Sequence, residues 1–480
     1  MSHLVVRIRE VRIFTEISKD MKRILRFLAV ALSIAAVACQ GNKTGNYSWE
    51  DDLQYRIGVD FCRSADEVKA YIQKYIPDVT DEMIADWTKS GKLEAMEIGG
   101  ELRYFRNAAP NLFRVDSECA EIKLLADGPE LSPHYSLGSR EISMLAAQVM
   151  DGGANIGLPV RMKVRYTLTV APDAVPEGEV LRCWLPFPRS DVPRQTDVKF
   201  IGAGWKTVDA EGFETEGLRA KDKSLKDLIF SGDNCAHSTL YMEAKAEAGC
   251  KTVFYEDFEY TASSEWYPLG ISTPETMASK EGLSALNDPS NYLGEREKHI
   301  IFTPEILALR DSLSQGLTTK VEMARAFYDW IEAEFPWASA REYSTIDNIP
   351  MYVLGSGHGD CGQVSLLFIT LCRSAGIPAR FQSGFMMHPG SVNLHDWSEI
   401  WLDEYGWVPV DQSFGGVSYF GGMDSYRMTV NCDYGRGLVP EKKYPRSETV
   451  DFQRGEVEWE GGNLYFPYWT YDLDVEYLNR

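Results

Sequence analysis

The spacing of apolar residues changes period three times along the chain, and each change marks a region. Between residues 49 and 150 the period is helical. Ser64-Ala65-Asp66-Glu67 has the form of a capping box, and Val68, Tyr71, Ile72 and Tyr75 follow at helical spacing. Pro77-Asp78-Val79-Thr80 interrupts, and a second helix is predicted from Thr80 through Ile84 and Trp87. Met96–Phe105 reads as a hairpin turning at Gly99-Gly100, and Leu124–Gln148 as a linker and a further helix. From 155 to 270 the period falls to two. Val160–Val170 alternates apolar and polar residues with many β-branched side chains, as a half-buried strand does. Val180–Phe187, Asp197–Gly202, Ser238–Ala244 and Thr252–Ala262 continue the pattern, which suggests a β-sandwich or barrel. From 295 the helical period returns in Pro304–Ser314 and Thr319–Ala333, the latter with Met323, Ala326, Phe327, Trp330 and Ile331 on one face. Residues 436–480 are β-like again and rich in aromatics.

One helix carries chemistry at its start. Val364, Leu367, Phe368 and Leu371 are spaced as a buried stripe, and Gly376 with Pro378 closes the helix. Ahead of it runs Gly357-His358-Gly359-Asp360-Cys361-Gly362. Cys361 is therefore expected at a helix N-terminus, where unpaired N–H groups and the helix dipole favour a thiolate and lower the thiol pKa. A thiol needs a base, and the base an orienting group. His395-Asp396-Trp397-Ser398-Glu399-Ile400-Trp401 and Gly406-Trp407-Val408-Pro409-Val410-Asp411 read as two strands of a hairpin turning near Glu404-Tyr405-Gly406. His395 and Asp411 share a face only if paired residue numbers have an even sum, as a three-residue loop gives; a two-residue loop at 404–405 puts Asp411 on the wrong face. His358 reads as a solvated loop residue, with tuning of Cys361 as the alternative; His237, His299 and His388 receive no functional reading; and Trp397, Trp401 and Trp407 read as core, with one of them lining an acyl pocket as the alternative.

The runs Gly359-Asp360-Cys361-Gly362-Gln363, Leu371-Cys372-Arg373-Ser374-Ala375-Gly376-Ile377-Pro378-Ala379-Arg380, the His395–Leu402 segment and Gly406–Asp411 resemble the transglutaminase-like superfamily. The resemblance covers residues 320–415 and implies a papain-like core, with a helix bearing Cys packed on an antiparallel sheet bearing His and Asp. It implies Cys361 as nucleophile, His395 as base and Asp411 as orienter. Asp396 departs from the pattern, since many members carry a small residue between His and Trp, and a slight loss of thiol reactivity is expected. The backbone N–H of Cys361 is an oxyanion donor, with a side-chain donor in Gln363 or Tyr343. The expected fold class is α+β: a transglutaminase-like catalytic domain at 295–435, preceded by a small mainly helical domain at 46–150 and a β-sandwich-like domain at 155–270, and followed by a β-rich extension at 436–480.

Composition narrows the partners. The 480 residues exceed what one hydrophobic core organises. A net charge of −22, from 71 acidic against 49 basic residues, repels phosphates, so no nucleic-acid partner is expected. The nine cysteines show no CxxC or Cys/His ligand spacing, so neither metal nor cofactor is implied, and Cys235 with Cys250 is the easiest disulfide to envisage. Lys22, Arg23 and Arg26 precede the apolar Phe27–Val37, and Ala36-Val37-Ala38 ends at Cys39. Segment 1–39 thus has the layout of a secretory signal, too short for a spanning helix, and resembles a bacterial lipoprotein signal with Cys39 as the lipidated residue. Residues 40–48 form a polar tether.

The expectation is an exported thiol enzyme, lipid-anchored to a bacterial membrane and touching it by that anchor only. It acts on amide bonds of a peptide or protein substrate through a thioester, with water resolving the thioester in a peptidase or amidase. Transfer to an amine is the alternative within that class, and a catalytically idle peptide- or glycan-binding lipoprotein is the alternative outside it.

Overall fold

A computed structural model describes residues 47–129, 133–221, 226–232, 234–271 and 277–479. The expected signal segment and Cys39 lie outside the described residues. The chain divides into two compact units, Met1–Tyr55 and Arg56–Arg480. Residues 47–55 of the first are described, and they open helix α1 (Trp49–Asp60).

The second unit continues with α2 (Ala65–Ile72) and α3 (Asp81–Lys89). The capping box is present: Ser64 accepts from the Glu67 N–H, and the Glu67 side chain accepts from that of Ser64. The hairpin β1 (Ala95–Ile98) and β2 (Glu101–Tyr104) turns at Gly99 and Gly100, as expected. Helices α4 (Ala108–Val115), α5 (Ser117–Asp127) and α6 (Pro133–Met150) follow. Phe61, Val68, Ile72, Leu93, Phe105 and Leu112 give this region a small core of its own.

The period-two region forms β3 (Ile156–Val170), β4 (Val180–Pro186), β5 (Gln195–Val208), β6 (Glu214–Ala220), β7 (Ile229–Phe230), β8 (Thr239–Lys245) and β9 (Lys251–Trp266). Strand β6 is exposed along most of its length, so it shows no apolar alternation and escaped the sequence reading. Cys235 and Cys250 are free thiols, which corrects the expected disulfide; all the described cysteines are free.

Residues 304–431 contain α7 (Pro304–Leu313), α8 (Lys320–Glu334), α9 (Ile349–Ser356) and α10 (Cys361–Ser374), then β10 (Ala379–His388), β11 (Ser391–Leu402), β12 (Gly406–Val410), β13 (Gly422–Met423) and β14 (Arg427–Asn431). The chain ends in β15 (Glu456–Trp459), β16 (Gly462–Leu464) and β17 (Trp469–Tyr477). A four-stranded sheet runs β12-β11-β10-β14. The C-terminal strands complete the sandwich: β17 pairs with β3, and β15 pairs with β4. Phe385 and Met387 of β10 and Met428 and Val430 of β14 pack into the sandwich core. The four-stranded sheet is thereby wedged between its own helices and the sandwich. Among the described residues no helix is long and apolar enough to cross a membrane.

Candidate active site

The sequence Asp360-x-x-Gln363 explains where α10 begins. The Asp360 carboxylate accepts from the Gln363 N–H at 3.0 Å, and Gln363 Oε1 accepts from the Asp360 N–H at 3.1 Å. This capping box starts the helix at Cys361. Helix α10 is buried from Gly362 to Arg373 and lies on β11, where Ser398 Oγ donates to the Ser365 carbonyl at 3.5 Å. Gly362 has a local reason: a Cβ there would stand 2.3 Å from the Tyr343 hydroxyl and 2.6 Å from Asp396 Oδ2.

The hairpin has the even register. Leu402 pairs with Gly406 and Ser398 with Val410, leaving residues 403–405 as a three-residue loop. His395 and Asp411 accordingly meet, with Nε2 and Oδ2 2.8 Å apart. Arg427 donates to the same Oδ2 at 3.0 Å, and the Ser413 and Phe414 N–H groups donate to Oδ1. Asp424 faces both Arg427 and His388. Burial alone would raise the Asp411 pKa, but His395 and Arg427 overcome it and hold the carboxyl below the usual range. Burial, partly opposed by Asp411, lowers that of His395.

The sulfur has a different partner. Cys361 Sγ is 3.5 Å from Asp396 Oδ2, and among the described residues no hydrogen bond joins it to the His395 ring. The expectation that sulfur, imidazole and carboxylate meet directly is corrected to that extent. The cause is the strand itself: successive side chains leave opposite faces, so His395 and Asp396 diverge. Strand β12 pairs with β11 only from Ser398 onward, so the edge beside His395 and Asp396 has no strand neighbour there. Gln453 fills it, with Nε2 donating to the His395 carbonyl at 2.8 Å and to Asp396 Oδ1 at 2.6 Å.

The electrostatics also differ from expectation. Burial pushes the Cys361 thiol well above its usual range, and the Asp396 and Asp360 carboxylates push it further. The shift is upward, opposite in direction to the lowered pKa expected at a helix start. Asp396 is raised well above the carboxylate range by burial and by facing Asp451 and Asp360. Asp360 is pushed up to about 6 by burial, although Tyr343 donates to it at 2.6 Å. His358 is buried, not solvated, and burial lowers its pKa to about 4.

Cys361 opens on a cavity of about 190 Å³ lined also by Tyr343, Asp360, Leu394, Asp396, Asp451 and Arg454. Gln363 is not part of this lining; its Oε1 serves the capping box and its buried Nε2 has no partner. Tyr343 is held from afar, since Glu342 binds Arg106 and its N–H donates to Asp60 at 2.8 Å, both from the helical region. None of Trp397, Trp401 and Trp407 lines the cavity. Arg427, Gln453 and Asp451 were missed from sequence, being brought in by strands and loops distant in the chain. The Asp360 cap was spelled out by Asp-x-x-Gln and could have been read. Among the described residues no group of three or more His, Cys, Asp or Glu side chains is arranged to hold a metal.

Residues 308–412 match the family model described as the transglutaminase-like superfamily. The chain thus carries a transglutaminase-like domain, and Cys361, His395 and Asp411 all fall within the matched span. No curated protein sequence matches the chain. Among solved structures, one from Cytophaga hutchinsonii, for which a cysteine protease role has been suggested, is 12% identical with a TM-score of 0.41, covering 68% of this chain and 93% of that one. The periplasmic domain of TgpA from Pseudomonas aeruginosa is 16% identical with a TM-score of 0.25, covering 51% and 93%. At these scores the likeness is loose and concerns backbone shape alone.

Proposed function

We propose that the chain is a thiol hydrolase of amide bonds in peptides or proteins, exported and lipid-anchored through Cys39. The observation that carries this reading is a cysteine that opens a helix and lines a cavity, beside a strand whose histidine is already fixed by a carboxylate. Asp411 occupies Nε2 of His395, and Nδ1 is left without a partner among the described residues. In this reading Sγ attacks the amide carbonyl and gives its proton to Nδ1, which requires the His395 segment, at the unpaired edge of β11, to turn toward the helix start, because His395 and Asp396 leave opposite faces of the strand. Such contacts commonly form only in the substrate complex. His395 then protonates the departing amine, and water releases the acyl group from the thioester. Asp411 holds the imidazole tautomer, and Arg427 holds Asp411. The oxyanion falls to the Cys361 N–H, at the helix start where no helical acceptor exists, and to the Tyr343 hydroxyl at the cavity wall.

A second reading has one observation in its favour: the sulfur is bonded to Asp396 and its pKa is raised, as in a binding module with an idle thiol. Both readings are tested by an unbiased peptide library incubated with the wild type and Cys361→Ala, with a primary amine added in parallel. Cleavage lost in the variant supports the hydrolase, and amine-capped products redirect it to acyl transfer. Identical, unchanged libraries for both proteins would leave only the idle reading.

A further inference from the structure

The cavity at Cys361 is short of positive charge. Five carboxyl groups line it, Glu342, Asp360, Asp396, Glu448 and Asp451, against the three guanidinium groups of Arg106, Arg341 and Arg454. The cations are already committed. Arg106 pairs with Glu342, Arg454 bridges Glu342 and Glu448, and Arg341 pairs with Glu94. Among the described residues no ion pair reaches Asp360, Asp396 or Asp451. Asp360 has the Tyr343 hydroxyl and its helix cap, and Asp396 has Gln453 and the thiol. Asp451 is 7% exposed, and its carboxyl has neither a hydrogen bond nor an ion pair. A nearly buried carboxyl without a partner is costly, and this one borders the cavity.

The geometry identifies the missing group. Sγ and Asp396 Oδ2 are 3.5 Å apart. In a peptide with a free amino terminus, the α-nitrogen and the first carbonyl carbon are about 2.5 Å apart. An ammonium–carboxylate hydrogen bond spans about 2.8 Å, and a sulfur poised for attack stands about 3–3.5 Å from its carbon. These lengths close a four-sided figure whose last side is the observed sulfur–oxygen distance. A lysine ammonium lies farther from its own carbonyl carbon, and acetylated, lysine-containing peptides separate the two. Resting on the hydrolase reading, we infer that the cavity receives the free α-ammonium of a peptide between Asp396 and Asp451, so that the bond attacked is the first peptide bond.

The ammonium takes over Oδ2 and frees the sulfur from Asp396. It also brings a further cation to carboxyls and a thiol that burial pushes upward. The thiol proton passes through His395 to the departing nitrogen. The carbon–nitrogen bond breaks as the carbon–sulfur bond is completed, and water then releases one free amino acid and regenerates the thiol. The remaining chain has a place to lie: a groove of about 440 Å³, lined by Phe466, Trp469 and Tyr471, adjoins the cavity through Leu394 and Arg454.

The test pairs peptides that differ only in their amino terminus, free or acetylated, with and without lysine near that end. Free-terminus peptides shortened by one residue, about 100-fold faster than their acetylated partners, are the expected result. Cleavage indifferent to acetylation would overturn the inference while leaving the hydrolase intact, and so would acetylated peptides cleaved only when they contain lysine. Should no peptide be cleaved, the hydrolase reading fails and charge-selective labelling decides the cavity on its own. Cys361 modification is followed by peptide mass spectrometry with cationic 2-aminoethyl and anionic 2-sulfonatoethyl methanethiosulfonate at about pH 8, normalised to 2-mercaptoethanol as the reference thiol. A cation preference of about tenfold that falls in Asp451→Asn supports the inference. The reference ratio in the wild type overturns it.

Discussion

Two polar clusters flank strand β11, and they are completed in opposite ways. On the His395 side every charge has a partner: Asp411 lies between His395 and Arg427, and Asp424 lies between Arg427 and His388. That chain of alternating charge is buried throughout, and it fixes the imidazole before any substrate arrives. On the Cys361 side the carboxyls of Asp360, Asp396 and Asp451 face one another with no ion pair among the described residues, the nearby Arg454 being bound to Glu342 and Glu448. The first cluster is self-sufficient and positions. The second has no ion pair on these three carboxyls, and burial pushes their pKa values upward. The difference teaches that the two halves of one candidate site answer to different perturbations.

The largest effect belongs to the self-sufficient cluster. Asp411→Asn keeps the shape of the side chain but removes the charge that orients His395, and amide cleavage is expected to fall about 10²–10⁴-fold in kcat/KM with the fold retained. An unchanged rate would show that the network does not serve the reaction. Next comes Arg427→Met, which leaves Asp411 and Asp424 buried with one cation fewer. A loss of about 3–5 kcal/mol in urea unfolding is expected, and a loss below 1 kcal/mol would mean the cluster is not held by charge. That loss has a pH sign. Asp411 is held below its ordinary value, so its contribution is present above about pH 4 and disappears as the pH falls through its folded value. The gap between wild type and Arg427→Met should therefore narrow in acid.

The smallest effect belongs to the other side. Asp396→Asn removes a carboxyl that raises the Cys361 pKa, so the iodoacetamide-reactivity profile should move to lower pH with little change in stability. A profile that stays in place would mean burial alone sets the thiol.

The sequence made the positioning half legible and the ligand-completed half largely illegible, for a physical reason. Helix α10, the 403–405 loop and the His395–Asp411 pair follow from periodicity and register, which are local properties of the chain. The environment of the sulfur depends on burial and on Asp396, and Asp396 in turn on Asp451 and Gln453, delivered by a loop about ninety residues downstream that no local pattern signals. The helix-start argument for a lowered thiol pKa omitted burial, the largest cause of the upward shift, and the Asp396 and Asp360 carboxylates. The C-terminal strands were visible as strands, yet their pairing with β3 and β4 is long-range and could not be read from spacing.

The most direct test of the central claim, that His395 activates Cys361, is iodoacetamide labelling of the Cys361 peptide, read by mass spectrometry in the wild type and in His395→Ala. The account predicts labelling of Cys361 in the wild type that is stimulated by a free-terminus peptide substrate analogue and abolished in the variant. Equal, sluggish labelling of both proteins, with or without that peptide, would contradict it.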